Sequence, residues 1–149
     1  MEFVAQAPVI KEQHIQTWTI GPDPVLKNRV IDDVIQFLAQ KKPLGPSALF
    51  KYRLCVDEAI TNSITHGCKG THQTVTIHFH WSPHAWAMQI TDKGPGFDQK
   101  SIPDTNSPGN EYLEHGRGIM ILQRYTDRLL YSDNGRQQTF WIRTGTDQH

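Results

Sequence analysis

The run Cys55-Val56-Asp57-Glu58-Ala59-Ile60-Thr61-Asn62-Ser63-Ile64-Thr65-His66-Gly67 sets a carboxylate, a carboxamide and an imidazole four residues apart. Residues at i, i+4 and i+8 of an α-helix lie near one line, so Glu58, Asn62 and His66 share a face. Leu54, Ile60 and Ile64, with Cys55, Val56 and Ala59, supply apolar directions beside it. A helix is predicted from about Ser47 to His66, with Gly67 and Gly70 as its stop. Three polar side chains on one face describe a solvated helix. They equally describe a carboxylate base beside an oxygen ligand for a hard cation. Magnesium takes one or two protein oxygens and completes its shell with water and phosphate oxygens. Asn62 is expected to face such a site rather than the core.

Working outward, Gln13 to Ile20 is rich in β-branched residues and reads as a strand, although Ile15 falls out of phase with Trp18 and Ile20. Gly21-Pro22-Asp23-Pro24 breaks it, with Asp23 placed to cap a helix and Pro24 at its first position. Leu26, Val30, Val34 and Leu38 then recur at intervals of four, which predicts an amphipathic helix ending near Gln40. Lys41 to Pro46 is a connector. On the other side, Thr74 to Trp81 alternates Val75, Ile77, Phe79 and Trp81 with polar residues, a strand with one buried face. Ser82-Pro83-His84 is a turn, and Ala85 to Thr91 is its hairpin partner. Asp92 to His115 is long and polar, and a stretch of that length is typically a functional lid or a linker. Gly118 to Asp127 reads as a helix. Two last strands, Arg128–Ser132 and Gln137–Arg143, flank the hairpin signal Asn134-Gly135.

This order, β-α-α-β-β-lid-α-β-β, predicts an α+β fold: a two-layer sandwich with helices on one face of a mixed, mostly antiparallel sheet. At 149 residues a single domain, 1–149, is expected, and such a chain buries roughly 68–70% of its unfolded surface without staples. Fifteen Lys+Arg balance 15 Asp+Glu, so no global field favours nucleic acid or a membrane surface. No segment approaches the ~20 apolar residues of a membrane span, and the start lacks a signal peptide's apolar run, so the cytoplasm is the expected compartment. Cys55 and Cys68 are the only cysteines, too few for a disulfide scaffold or a four-cysteine zinc site. Cys55 is expected to pack rather than react. His78 and His80 share a strand face near His72 and His84, but no cysteine or carboxylate cluster joins them, so they read as a solvated face. Trp81 and Trp86 read as core or hairpin pairing.

Two further motifs carry chemistry. In Ile90-Thr91-Asp92-Lys93-Gly94-Pro95-Gly96-Phe97 an aspartate leaves an apolar strand into two glycines. Such an aspartate can accept a hydrogen bond from the amino group of a base, and glycines let backbone approach a ligand. In Glu114-His115-Gly116-Arg117-Gly118-Ile119 paired glycines are expected to open a helix, whose exposed N–H groups would suit an anion. The GxxxxGK[ST] pattern of a P-loop is absent, and Ile121 stands where GxGxxG needs its third glycine.

In their order and spacing these motifs, closed by a hairpin bearing Thr139, resemble the Bergerat-type ATP-binding domain shared by gyrase, heat-shock chaperones, histidine kinases and mismatch-repair proteins. Asp57-Glu58-Ala59-Ile60-Thr61-Asn62 followed by His66-Gly67 looks like the anti-sigma factor serine/threonine kinases of bacteria. The resemblance runs from about residue 10 to 144. It implies ATP and Mg2+ as cofactors. Glu58 would be the general base and Asn62 the magnesium ligand. Asp92 would bond the adenine amino group, and Gly94 and Gly96 would shape its pocket. Gly116, Arg117 and Gly118 would lie along the phosphates, with Thr139 near the adenine. His66 matches the subfamily pattern with a less defined role. Residues 98–115 would be the ATP lid, excluding water so that phosphate passes to a protein hydroxyl. The implied function is a serine kinase acting on a STAS-domain anti-anti-sigma protein, with sequestration of a sigma factor as a second role. It allows a homodimer and involves no direct nucleic acid and no membrane. The alternative is a module in which ATP only switches capture of a regulatory protein. A histidine-kinase catalytic domain ranks lower, because no dimerisation helix bears a phospho-accepting histidine. A relaxation or repair ATPase would need a transducer domain.

Overall fold

The computed structural model describes residues 1–68, 73–96 and 114–144. Its elements are β1 (Glu2–Phe3), β2 (Gln13–Ile20), α1 (Pro24–Lys41), α2 (Pro46–Gly67), β3 (Val75–Trp81), β4 (Ala85–Thr91), α3 (Glu114–Tyr125), β5 (Arg128–Ser132) and β6 (Gln137–Arg143). The strands form one six-stranded sheet in the order β1-β5-β6-β4-β3-β2, antiparallel at every pairing except β1 with β5. Ile77, Ile90, Met88 and Phe140 face the helices. Val34, Leu38, Val56 and Ile60 pack onto them, and all eight are buried. Trp86 is the hub: its ring lies 5.4 Å from Tyr52 and from Phe140 and 5.9 Å from Phe79. The α+β sandwich is as expected, and the tryptophan and Cys55 are core. Burial pushes the Cys55 thiol up to about 12, which leaves it protonated and inert at neutral pH.

Local chemistry sets the boundaries. Asp23 caps α1, its Oδ1 accepting from the Val25 amide at 2.9 Å, with Pro24 at the first position. Pro46 opens α2 in the same way, and its last turn closes through Cys68 N–H to the Ile64 carbonyl at 2.9 Å. The out-of-phase Ile15 is resolved by an irregularity in the β2–β3 register between His14 and Gln16. The extra residue resets the alternation, and Ile15 packs against the core together with Trp18. The last hairpin turns through Asp133, Asn134 and Gly135 at φ 51°, 55° and 83°, the left-handed region that Asn and Gly tolerate best.

Two features differ from the sequence reading. The short strand β1 extends β5 and leads into a segment that reaches the sheet's helix-free face. There Glu12 accepts from the Trp141 indole at 3.0 Å, and its carbonyl lies 3.2 Å from His80 Nδ1. The third helix begins at Glu114, so Gly116 and Gly118 lie inside its first turns instead of opening it. Glu114 and His115, read as the end of a lid, belong to this helix; residues 98–113, the rest of that lid, lie outside the described residues.

Candidate functional site

Helix α2 divides its polar residues by direction. Asp57 and Glu58 are neighbours, so their side chains leave the helix about 100° apart. Asp57 turns to α1, where Lys27 Nζ lies 2.9 Å from its Oδ1. Glu58 turns to α3, where a Cβ added at Gly118 would stand 3.0 Å from Glu58 Oε2. Gly118 is buried, and its missing side chain is what lets α3 lie over the carboxylate. The structure thus joins Glu58 and Gly118, two of the expected site residues. Gly116 lies two residues, about half a turn, before Gly118 in the same helix, and the side chain of Arg117 lies outside the described residues.

One turn beyond Glu58, Asn62 is 4% exposed and does not simply face outward. It looks into a buried polar network on the sheet. Its Nδ2 donates to Tyr131 Oη at 3.4 Å and to Gln138 Oε1 at 3.5 Å. Gln138 is fixed in turn: Nε2 donates to the Ala59 carbonyl and to Ser63 Oγ, both at 2.7 Å, while Oε1 accepts from Tyr131 Oη at 3.3 Å. Asn62 was expected to face a site rather than the core, and the structure buries its side chain between α2 and the sheet. The nitrogen is held by the sheet. The oxygen, Oδ1, is buried with no hydrogen-bond partner among the described residues. A buried carbonyl oxygen without a donor is costly, and a cation supplies what it lacks.

The third part of the site is where α2 ends against β4. Asp92 is 4% exposed; its Oδ1 accepts from the Gly94 amide at 2.8 Å and its own amide donates to the Arg136 carbonyl at 2.8 Å. Burial raises the Asp92 carboxyl above the usual aspartate range, against the opposing pull of the Gly94 amide and the Arg136 guanidinium. Gly67 lies directly on this carboxylate: a Cβ there would stand 2.5 Å from Asp92 Cγ and 2.8 Å from Oδ1. Gly94 is equally tight, with a Cβ meeting Gly67 Cα at 2.6 Å and the His66 carbonyl at 2.7 Å. So the backbone of His66 and Gly67, the Asp92 carboxylate and Gly94 form one packed cluster. Gly96 takes φ 77°, and a side chain there would run into the Asn134 carbonyl. Arg136 pins the loop, donating from Nε to the Gly94 carbonyl at 2.8 Å.

Thr139 does not join these residues. In the β4–β6 register it pairs with Gln89, whose Nε2 donates to its hydroxyl at 3.1 Å, on the face away from the helices. Gln138, one position earlier, is the strand residue on the site face. The alternation Gln138-x-Phe140-x-Ile142 carried that signal, since it sets a polar residue in line with two core residues. Arg136 and Tyr131 were missed because a single arginine in a turn and a tyrosine in a strand have no distinguishing spacing. His78 shares the helix-free face and bonds Thr17 Oγ1 at 2.9 Å. Among the described residues no group of three or more His, Cys, Asp or Glu could hold a metal, and His72 lies outside the described residues.

The helix bearing Glu58 and Asn62 over a mixed sheet, with a buried strand-end aspartate at its tip, defines a two-layer α+β sandwich. Residues 24–143 match the family described as histidine kinase-like ATPase domain, and the chain belongs to that family. No curated protein matches it. Membership implies ATP binding, with magnesium as the usual companion of the nucleotide. No helix among the described residues is long and apolar enough to cross a membrane.

Proposed function

We propose that the chain is an ATP- and magnesium-dependent serine protein kinase of the anti-sigma type. Its substrate would be a STAS-domain anti-anti-sigma protein, and sequestration of a sigma factor would be its second role, both in the cytoplasm. The observation that carries the ATP and metal part is the buried, unpartnered Asn62 Oδ1, one helical turn from Glu58. The likeness of Asp57 to Gly67 to anti-sigma kinases supports the substrate class.

Each residue then has a task. Asn62 would hold Mg2+ through Oδ1, and the ion would neutralise phosphate charge when bound. The Tyr131–Gln138 pair keeps the amide turned so that oxygen, not nitrogen, faces it. Asp92 accepts from the adenine amino group on the carboxylate edge that Gly94 leaves open. Glu58 takes the proton from the attacking serine hydroxyl. The new bond joins serine Oγ to the γ-phosphorus, the bond from that phosphorus to the bridging oxygen breaks, and ADP leaves. A positioned base contributes ~10²–10⁴-fold, so Glu58→Gln should reduce transfer by about that factor. ATP affinity should hardly change, because the bound ground state needs no base. Labelled ATP and a panel of STAS proteins supply the assay. Loss of transfer with retained ATP binding supports catalysis by Glu58. A wild-type chain that captures a STAS protein in an ATP-dependent way without labelling it overturns the kinase in favour of the switched binding module.

A further inference from the structure

A second cavity lies at the other end of α2, away from the residues described above. It has a volume of about 310 Å³, within the usual ~300–1,000 Å³ of small-molecule sites. It is bounded by the end of α1, the α1–α2 connector, the first turns of α2 and the β3–β4 hairpin. From Ala48 on its wall to Asn62 is 14 residues, about 21 Å along the helix axis. This separation keeps it outside the nucleotide site.

The chemistry of the wall is specific. Leu38, Leu44, Ala48 and the rings of Tyr52 and Trp81 make it apolar, Lys41 and Lys42 also line it, and among the described residues no carboxylate does. Lys41 is held in place: its Nζ lies 4.8 Å from the centre of the Trp81 ring and 5.1 Å from that of Phe37. It makes no ion pair with a described residue. An ammonium group set over aromatic faces on the wall of an apolar cavity is a cation without a counter-charge among the described residues. The complementary ligand has an apolar body to fill the space and one anionic end to meet the lysine.

We infer that this cavity is a binding site for a small amphipathic monoanion, a carboxylate on an aliphatic or aromatic body. The apolar body displaces water from Leu38, Leu44 and Trp81, and the carboxylate accepts from Lys41 Nζ. A neutral analogue keeps the first interaction and lacks the second, and a cationic analogue meets repulsion.

The test uses the full chain and three matched probes: octanoate, 1-octanol and octylammonium. Titration calorimetry reads affinity, and the Trp81 indole N–H resonance, assigned with Trp81→Phe, reads location. Octanoate should bind with one-to-one stoichiometry and shift that resonance, and octylammonium should not bind. Lys41→Met keeps the apolar stem and removes the charge. It should weaken octanoate about tenfold or more, as loss of a charge-assisted hydrogen bond does, and leave 1-octanol unchanged. Ala48→Phe fills the cavity and should abolish binding of both. Lys41 is exposed, so Lys41→Met keeps the test decisive should the filled variant misfold. Unchanged ATP binding in each variant reports an intact fold. Equal affinity for octanoate and 1-octanol, octanoate binding indifferent to Lys41→Met, or no saturable binding of any probe overturns the inference.

Discussion

Gly67→Ala is the smallest change that separates the two duties of the α2 C-terminus. A methyl group there would stand 2.5 Å from Asp92 Cγ and 2.8 Å from Oδ1, and closer still to Asp92 Cβ. The aspartate cannot swing clear, because its Oδ1 is bonded to the Gly94 amide and its backbone to Arg136. Either the end of β4 or the last turn of α2 must shift. Overpacking of this kind costs ~1–3 kcal/mol. Alanine recovers up to ~1 kcal/mol of helix propensity over glycine, less at a helix end than within it. The net loss of stability is therefore small, ~0–2 kcal/mol, or a fall in Tm of a few degrees at about 2–4 °C per kcal/mol. The loss of ATP affinity should be larger in proportion. A displaced Asp92 would forfeit the proposed buried hydrogen bond to adenine, worth ~1–3 kcal/mol, or about 5- to 150-fold in Kd. Calorimetric titration with ATP beside a thermal melt gives both numbers. Gly21→Ala is the control, since a Cβ there meets nothing within 4 Å. Wild-type ATP affinity in Gly67→Ala would refute the reasoning, because it would mean that the Asp92 position is irrelevant to the nucleotide.

Asp92→Asn keeps an acceptor oxygen for the Gly94 amide but removes the charge and presents a donor to the adenine amine. ATP affinity should fall about 5- to 150-fold, as a mismatched buried hydrogen bond costs ~1–3 kcal/mol. Its effect on stability has the opposite sign. The folded-state pKa of Asp92 is raised, so the wild type loses stability as pH climbs from the ordinary aspartate range through that raised value. At pH 7 the variant should melt above the wild type, with the gap closing on acidification toward pH ~4; a gap independent of pH would exclude buried charge as its source. Gln138→Met removes the residue that fixes the Asn62 amide nitrogen and should weaken magnesium-dependent ATP binding more than magnesium-free binding. Equal weakening of both would make Gln138 a packing residue only. Glu58→Gln, measured against a STAS substrate, separates catalysis from binding.

What was legible in the sequence was whatever repeats. Four-residue intervals located α1 and α2, two-residue alternation located β2 and β3, and turn signals located β4 to β6. The strand β1 has two residues, too few for any period, and its pairing with β5 is set by chain reach rather than pattern. Ile15 showed the same limit in reverse: the break in alternation was visible, but that a register irregularity repairs it depends on β3. The start of α3 was misplaced because glycine costs ~1 kcal/mol within a helix, so Gly116 and Gly118 read as its opening. At Gly118 the close approach to Glu58 offsets part of that cost, since a Cβ there would stand 3.0 Å from Oε2 and push the carboxylate aside. Glu58, Asn62 and Asp92 stood out because each is a polar residue at a helical or strand-end position beside an apolar run. Thr139 was carried by likeness against the strand's own parity, which put Gln138 on the working face.

The same cluster explains why α2 ends where it does. Gly67 is the last helical residue, and it is also the only residue type whose Cα fits against Asp92 and Gly94. With the helix end packed on the strand end, the distance from Asn62 to Asp92 is set by little more than one turn of rigid helix, five residues or about 7.5 Å of rise. Glu58 lies a further turn back, at about 6 Å. Glu58 and Asn62, the proposed base and metal ligand, are thus spaced along one helix whose end is fixed by contact with Asp92, the proposed adenine acceptor. A substitution that unwinds the last turn of α2 should disturb all three proposed functions together, whereas one at Asp57, about 100° around α2 from Glu58, or at its α1 partner Lys27 should disturb none of them.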